Sequence, residues 1–392
     1  MLSKPLRPSD IRKRNEKVVL NIIRERGVVS QTDVVQETKL MASSVLSIFT
    51  ALQEQGLIYE DEKIDIPDYG QRGRKPKYFR IVPTAAYALG IDLTPHFFHL
   101  SLVDFAGNIV VSRQVDIDNL MQLDELYENI RESITRVIKL KRVPKKILLG
   151  LGMGIPGQVD SRNGICLRSP FFKDHENLPL ASSLSKILRI PVYIHNNCSV
   201  ITVSERRYRQ NLEQYQSLLA VLMRTGVGGG FTEKDVHDYY NQVSTYEIGH
   251  IPYSLDGPVC HCGARGCIET QLGEDVLLEE LNAVVPLPSI PDVDEEYLRN
   301  PAVQAILRRK GSLLYMILRS VYQAVFPDTI LLISRSFALS SFLVEHLRTE
   351  AEKDRIRKFS IMAESYDPAL YSRGAADLVW ENYFHIEANV CV

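Results

Sequence analysis

The chain has 392 residues, 45% of them hydrophobic, and a formal net charge of -2. That length supplies apolar side chains for two or three domains with cores of their own, and the near-neutral balance does not call for nucleic acid or a membrane as partner of the whole. Charge is unevenly spread: residues 1–82 hold 15 Lys/Arg against 11 Asp/Glu, and the rest hold 31 against 37. A mildly basic head on an acidic body fits a DNA-binding head. The first ten residues lack the apolar core of a signal peptide, and no apolar run approaches the roughly 20 residues of a membrane span. A soluble, cytoplasmic protein is the expectation.

In the head, Val18, Val19, Ile22 and Ile23 share one face of a helix expected over Ile11 to Arg26, which Gly27 can end. Ser30 caps a short second helix, with Asp33 three residues on. Thr38-Lys39-Leu40 turns the chain. Ala42 to Gln55 forms a third helix, with Val45, Ile48, Phe49 and Leu52 as its buried stripe. Strands follow at Leu57 to Tyr59 and Lys77 to Ile81. Three short helices and a β-hairpin over residues 1–82 make a winged helix-turn-helix, whose third helix would enter the major groove. Ser43, Ser44 and Ser47 face outward there and can donate to bases or phosphates. The wing carries Arg72, Arg74 and Lys75, suited either to plain phosphate contact or to a narrow minor groove.

The body, residues 83–392, is α/β. A strand over Tyr87 to Asp92 leads through Leu93-Thr94-Pro95-His96 into strands at Phe97 to Asp104 and Ile109 to Gln114. A helix at Leu123 to Leu140, a strand at Ile147 to Gly152, a helix at Leu180 to Leu188, a strand at Pro191 to His195 and a helix at Val200 to Arg209 complete the first half. The plan then restarts. A strand at Ser217 to Met223 runs into a turn at Thr225 to Gly230, with return from Phe231. A helix at Ala302 to Phe326, a strand at Thr329 to Ser334 and helices at Ser340 to Glu350 and from Ser372 follow. Two hairpin-led halves suggest a duplicated, actin-like (ribonuclease-H-like) fold. The expected lobes are about 83–200 with the C-terminal helix 372–387, and about 201–371, with a ligand cleft between them.

Six cysteines in a chain this long do not make a disulfide framework. Cys166, Cys198 and Cys391 are scattered. Cys260, Cys262 and Cys267 cluster, with His250 ten residues before the first. Thiolates and an imidazole suit Zn²⁺, and four protein ligands would leave no open position for chemistry. Gly263 and Gly266 let the chain turn tightly inside the knot. Glu247 and Glu269 bracket it.

These segments resemble the ROK family, which contains sugar kinases and sugar-responsive transcriptional repressors. The resemblance rests on Gly154-Ile155-Pro156-Gly157, Asn196-Asn197, Thr225 to Gly230, Glu247-Ile248-Gly249-His250 and C-x-C-G-x-x-G-C-x-E from Cys260 to Glu269. It implies that His250, Cys260, Cys262 and Cys267 hold one structural zinc. It also implies that Asn196, Glu247, His250 and Glu269 contact a sugar, with Asn197 beside them and Gly157 opposite. A winged head on such a body is similar to the repressor branch, the type of the N-acetylglucosamine and xylose repressors. Three departures separate it from the family's kinases. Asn197 stands where they have the Asp that deprotonates the sugar hydroxyl, and an amide is no general base. Asp92-Leu93-Thr94-Pro95 lacks the glycines and lysine of their phosphate turn. Ser334-Arg335-Ser336-Phe337 replaces their paired glycines at adenosine. The expectation is a sugar-responsive repressor without kinase activity, binding a palindromic operator as a homodimer or tetramer. The rivals are a regulator controlled by a protein partner and an active sugar kinase.

Overall fold

The computed structural model describes residues 8–63, 76–117, 122–172, 175–234, 239–354 and 360–385. The head comprises α1 (Pro8–Arg26), β1 (Val29–Ser30), α2 (Gln31–Thr38), α3 (Ala42–Glu54), β2 (Ile58–Glu60) and β3 (Tyr78–Ile81). Its strands form one small antiparallel sheet in the order β1-β3-β2. Ser30 and Asp33 close a reciprocal capping box at α2, and Lys39 takes the left-handed conformation that ends it. Val45, Ile48, Phe49 and Leu52 of α3 are buried as the spacing predicts, while Ser43, Ser44 and Ser47 are exposed. Arg72, Arg74 and Lys75 of the expected wing lie outside the described residues.

The body begins with β4 (Tyr87–Leu93), β5 (Phe97–Asp104), β6 (Ile109–Asp116), α4 (Leu123–Lys141), β7 (Leu148–Ile155), β8 (Gln158–Asp160), β9 (Ile165–Arg168), α5 (Leu180–Leu188), β10 (Val192–Asn196) and α6 (Asn197–Tyr208). It continues with β11 (Ser217–Met223), β12 (Val227–Glu233), α7 (Tyr239–Gln242), β13 (Ser244–Tyr246), α8 (Glu269–Leu272), α9 (Glu274–Asn282), α10 (Pro301–Val325), β14 (Thr329–Ser334), α11 (Phe337–Lys353), β15 (Ser360–Ser365) and α12 (Pro368–Phe384).

Two five-stranded sheets carry the duplication. One has the order β10-β7-β4-β5-β6 and the other β13-β12-β11-β14-β15. In each, the first three strands form an antiparallel meander, and the last two add in parallel on the far side of the first. Each sheet packs its own apolar core, one against α4 and α5, the other against α9, α10 and α11. The expected return strand differs: it begins at Val227, so Gly228, Gly229 and Gly230 lie in β12, not in a turn. The reason is tertiary. A Cβ on Gly230 would stand 2.1 Å from Thr202 Oγ1 and 2.9 Å from the Cys198 carbonyl, both on α6.

α6 and α12 lie between the two sheets. α12 crosses β4 and β7 so closely that a Cβ on Gly90 or Gly152 would fall 1.8 Å from the carbonyl of Ser372 or Ala375. Its other end joins the head. Trp380, Val379 and Phe384 share one buried cluster with Val19, Ile23, Phe49 and Phe79 of the head and Phe105 of the body. The head is therefore packed onto the body through a common core, not strung from a linker.

Candidate functional site

The site is built on the N-terminus of α6. Asn196 ends β10 and caps α6: its side-chain oxygen accepts from the Cys198 and Ser199 amides at 2.8 and 3.3 Å. Its amide nitrogen donates to the Gly157 carbonyl at 2.6 Å. One side chain thus ties the loop after β7 to the helix. Around it opens a cavity of about 390 Å³ lined by Gly157, Gln158, Ser161, His195, Asn196, Ser199, Tyr240, Thr245 and Glu247 among others. That volume is in the range of small-molecule sites.

Three of the sequence-derived sugar residues, Gly157, Asn196 and Glu247, therefore meet at one cavity. The other three stand elsewhere. Asn197 is the buried first residue of α6. His250 ends a short 3₁₀ turn, Ile248–His250, in the cysteine loop. Glu269 Oε2 accepts from the Val227 amide at 3.1 Å, and its Oε1 lies 2.9 Å from His261 Nδ1. Glu269 thus binds the β11–β12 turn to the cysteine loop rather than lining the cavity. His195, Ser199, Tyr240 and Thr245 were not singled out from sequence. Strand alternation at β10 carries the only signal for His195; its ring nitrogen meets the Tyr240 carbonyl at 3.1 Å, and burial pushes its pKa down.

The cysteine loop fits a tetrahedral cation. His250, Cys260, Cys262 and Cys267 present ligand atoms all within 4.8 Å of one another. His250 Nδ1 lies 3.6 Å from Cys260 Sγ, and Cys262 Sγ lies 3.6 Å from Cys267 Sγ. Zinc–sulfur bonds of about 2.3 Å at tetrahedral angles give edges of roughly 3.7 Å. Burial, together with the neighbouring Cys262 and Cys260 thiols, pushes the Cys267 thiol up to about 12, so ionising these thiols together calls for a cation. The turn is closed by Cys260 and Ala264 and by Gly263 and Cys260 backbone bonds, with Gly263 and Gly266 at φ of 91° and 67°. His261 offers an alternative grouping with His250 and Glu269, but its Nδ1 is already held by Glu269.

The facing side of the cleft is closed. Arg224, after β11, lies with Nη1 3.6 Å from Asp92 Oδ2 at the end of β4, joining the two sheets. Both side chains are buried, and the Arg224 guanidinium sits 4.4 Å from the Tyr366 ring centre. Burial, only partly offset by Arg224, raises the Asp92 pKa to about 6. Beside them Arg335 pairs with Glu274 at 2.6 Å. Ser336 caps α11 and donates to the Val293 carbonyl at 2.6 Å. The space left among Thr94, Pro95, Arg224 and Arg335 is about 10 Å³, the size of a single water.

Fold and site together define a kinase-like two-lobed α/β body bearing a helical head with a small antiparallel sheet. Residues 88–353 match the model of the ROK family, and the chain belongs to that family. It is 24% identical over 392 residues to the xylose repressor of Bacillus spizizenii, covering 96% of this chain and 97% of that one. The crystal structure of a ROK family transcriptional regulator, a homologue of the Escherichia coli Mlc protein, covers 96% of this chain and 97% of its own at a TM-score of 0.75 and 19% identity. A ROK family glucokinase from Streptomyces griseus, solved with glucose and AMPPNP, covers 75% of this chain and 99% of its own at a TM-score of 0.61 and 17% identity. The additional residues relative to that kinase correspond in amount to a head. Among the described residues no helix is long and apolar enough to cross a membrane.

Proposed function

We propose that this protein is a sugar-responsive, DNA-binding transcriptional repressor whose kinase-like body senses sugar without phosphorylating it. One observation carries the reading. The half of the cleft where the resemblance puts the kinases' phosphate and adenosine is filled by the Arg224–Asp92 and Arg335–Glu274 pairs, while the half at Asn196 and Glu247 stays open. Sugar hydroxyls are both donors and acceptors, and the open half offers amide, carboxylate, hydroxyl and imidazole groups to meet them. Gly157, Asn196 and Glu247 would contact the sugar directly; Asn197, His250 and Glu269 would act on it through the loops they hold. Asn197 cannot accept the proton of an attacking hydroxyl, which leaves the body without the general base of phosphoryl transfer.

One zinc held by His250, Cys260, Cys262 and Cys267 would be structural, fixing the loop that carries Glu247 and Glu269. The head would bind a palindromic operator through Ser43, Ser44 and Ser47 in the major groove and Arg72, Arg74 and Lys75 on the wing. A dimer in the cytoplasm would space two heads at a helical turn, about 34 Å, or a multiple of it. Sugar and operator then alter each other's affinity by one common factor.

The test is titration of the DNA-bound full chain with D-glucose, D-xylose and N-acetylglucosamine, beside a coupled ATPase assay on the same sugars. A change in DNA affinity with no ATP turnover is expected. Turnover at ordinary kinase rates would place the protein among the enzymes instead.

A further inference from the structure

Asp377 of α12 lies at a buried junction of three parts of the chain. Its Oδ1 accepts from Arg24 Nη2 of the head at 3.2 Å. Its Oδ2 lies 3.0 Å from Arg207 Nη1 and accepts the Tyr208 hydroxyl, both at the C-terminal end of α6. The Asp377 and Arg24 side chains are 2% and 8% exposed. Burial would raise this carboxyl, but the Arg207 and Arg24 charges outweigh it and hold it below the ordinary carboxylate value. The surrounding groups belong to the same three elements and to α7, whose Tyr240 faces Asp377, Arg207 and Glu381. Arg24 also stacks at 5.0 Å on Trp380, Arg373 stacks at 3.7 Å on Tyr208, and Arg207 reaches Glu381 at 3.4 Å.

We propose that Asp377 is the positioning residue that couples the Asn196 cavity to the DNA head, with α6 as the rigid arm between them. The inference rests on the reading of the cavity as a sugar site and of the head as DNA-binding. α6 is 12 residues long, about 18 Å of stiff rod. Its first turn is held by Asn196, which also grips Gly157 on the cavity wall. Its last turn is held by Asp377. Midway it has no slack against α12, because a Cβ on Gly374 would fall 1.7 Å from Ser204 Oγ. A second strut runs the same way: Tyr240 lines the cavity and donates its hydroxyl to the Gly374 carbonyl at 2.6 Å. On the far side, α1 grips α12 through Arg24 and through Lys17, which donates to the Tyr383 carbonyl at 2.6 Å. Movement of the cavity wall therefore reaches α1 as displacement of a packed charge cluster. Such clusters rearrange between discrete states rather than bend, because any member left alone is a buried, uncompensated charge. Contact alone does not demonstrate coupling, so the test perturbs one end and reads the other.

Full-length Arg24→Leu, Arg24→Lys and wild type are compared in two ways. In hydrogen exchange without ligand, Arg24→Leu should speed exchange about tenfold in the last turn of α6, which Arg24 faces across Asp377, and Arg24→Lys should restore most of the protection. Acceleration confined to α1 and α12 would overturn the proposal. In the second arm the DNA is a duplex of about 30 base pairs selected by the wild-type protein from a random library, long enough for two half-sites a turn apart. Its affinity is measured with and without D-glucose, D-xylose and N-acetylglucosamine. Arg24→Leu should bind the responding sugar as wild type does in calorimetry, while its DNA-affinity ratio with and without sugar falls to within about twofold of one. A ratio equal to that of wild type would overturn the proposal. A wild-type protein that answers none of the sugars would refute the effector reading, and the exchange arm would still decide the coupling. Should Arg24→Leu fail to fold, Asp377→Asn, which keeps the hydrogen-bonding shape, replaces it in both arms.

Discussion

Single side chains decide what this cleft can do. Arg224 fills the space beside Thr94 and Pro95, and its charge is held by Asp92. Burial raises the Asp92 carboxyl from 3.8 to about 6, so folding favours its protonated form. The sign follows directly: the stabilising contribution is complete below about pH 4 and is lost as pH rises through 6. The span corresponds to about 3 kcal/mol. Denaturant titrations should therefore show wild type losing stability from pH 4 to 6.5 by an amount that Asp92→Asn abolishes. At the cysteine loop, Cys260→Ala or Cys262→Ala should drop zinc from one per chain to none in metal analysis and lower the melting temperature. Stoichiometric metal in either variant would exclude these ligands. The four candidate ligands were legible because they lie close together in the chain, and a C-x-C with a third Cys five residues on brings its own geometry. The role of Glu269 was not legible. Which way a carboxylate faces depends on the Val227 amide and His261, and only folding brings Val227 near.

At the scale of elements, α6 carries the site. It was expected from Val200 but begins at Asn197, because Asn196 caps it. The same local signal was underread at α12, where Asp367 caps and Pro368 occupies the first turn, and at α11, capped by Ser336. Asn196→Ala should cost about 2 kcal/mol, combining the lost cap with the unpaired Gly157 carbonyl. Asn196→Asp keeps the cap but removes the donor to Gly157, so it should retain most of the stability while weakening sugar binding. Equal melting temperatures for wild type and Asn196→Ala would show that the cap contributes nothing. Strand β15 went unread because it is short and only Ile361 within it is fully buried, which leaves no alternation to see. Strand β12 was hidden by its glycines, which propensity counts against a strand and which close packing on α6 requires.

For the whole molecule, the head's attachment matters most. A head sharing its core with Trp380 and Phe384 moves with the body, so a change of state in the body reaches the head. DNA affinity should fall steeply with salt, as phosphate contacts release counterions. Arg72→Ala with Arg74→Ala should reduce the slope of log K against log salt by about two if both arginines meet phosphates. Loss of affinity confined to A·T-rich operators would instead mark them as minor-groove readers.

The sequence by itself determined the helical head with its paired strands, the duplicated α/β plan and the grouping of His250 with Cys260, Cys262 and Cys267. Each of these rests on short-range pattern: periodicity, caps, turn residues and ligand spacing. It also determined that an amide, Asn197, follows the cap of α6, since that is a matter of residue type. The tertiary structure alone decided which of the sugar-site candidates share a cavity, why three glycines enter β12, and that Arg224 and Asp92 close the opposite half. It alone brought Arg24, Arg207, Tyr208 and Asp377 together, from positions more than 150 residues apart for the pairs with Asp377. Burial and ion pairing between distant segments leave no periodic trace in a chain, because their free energy arises only when the two sheets, α6 and α12 have packed.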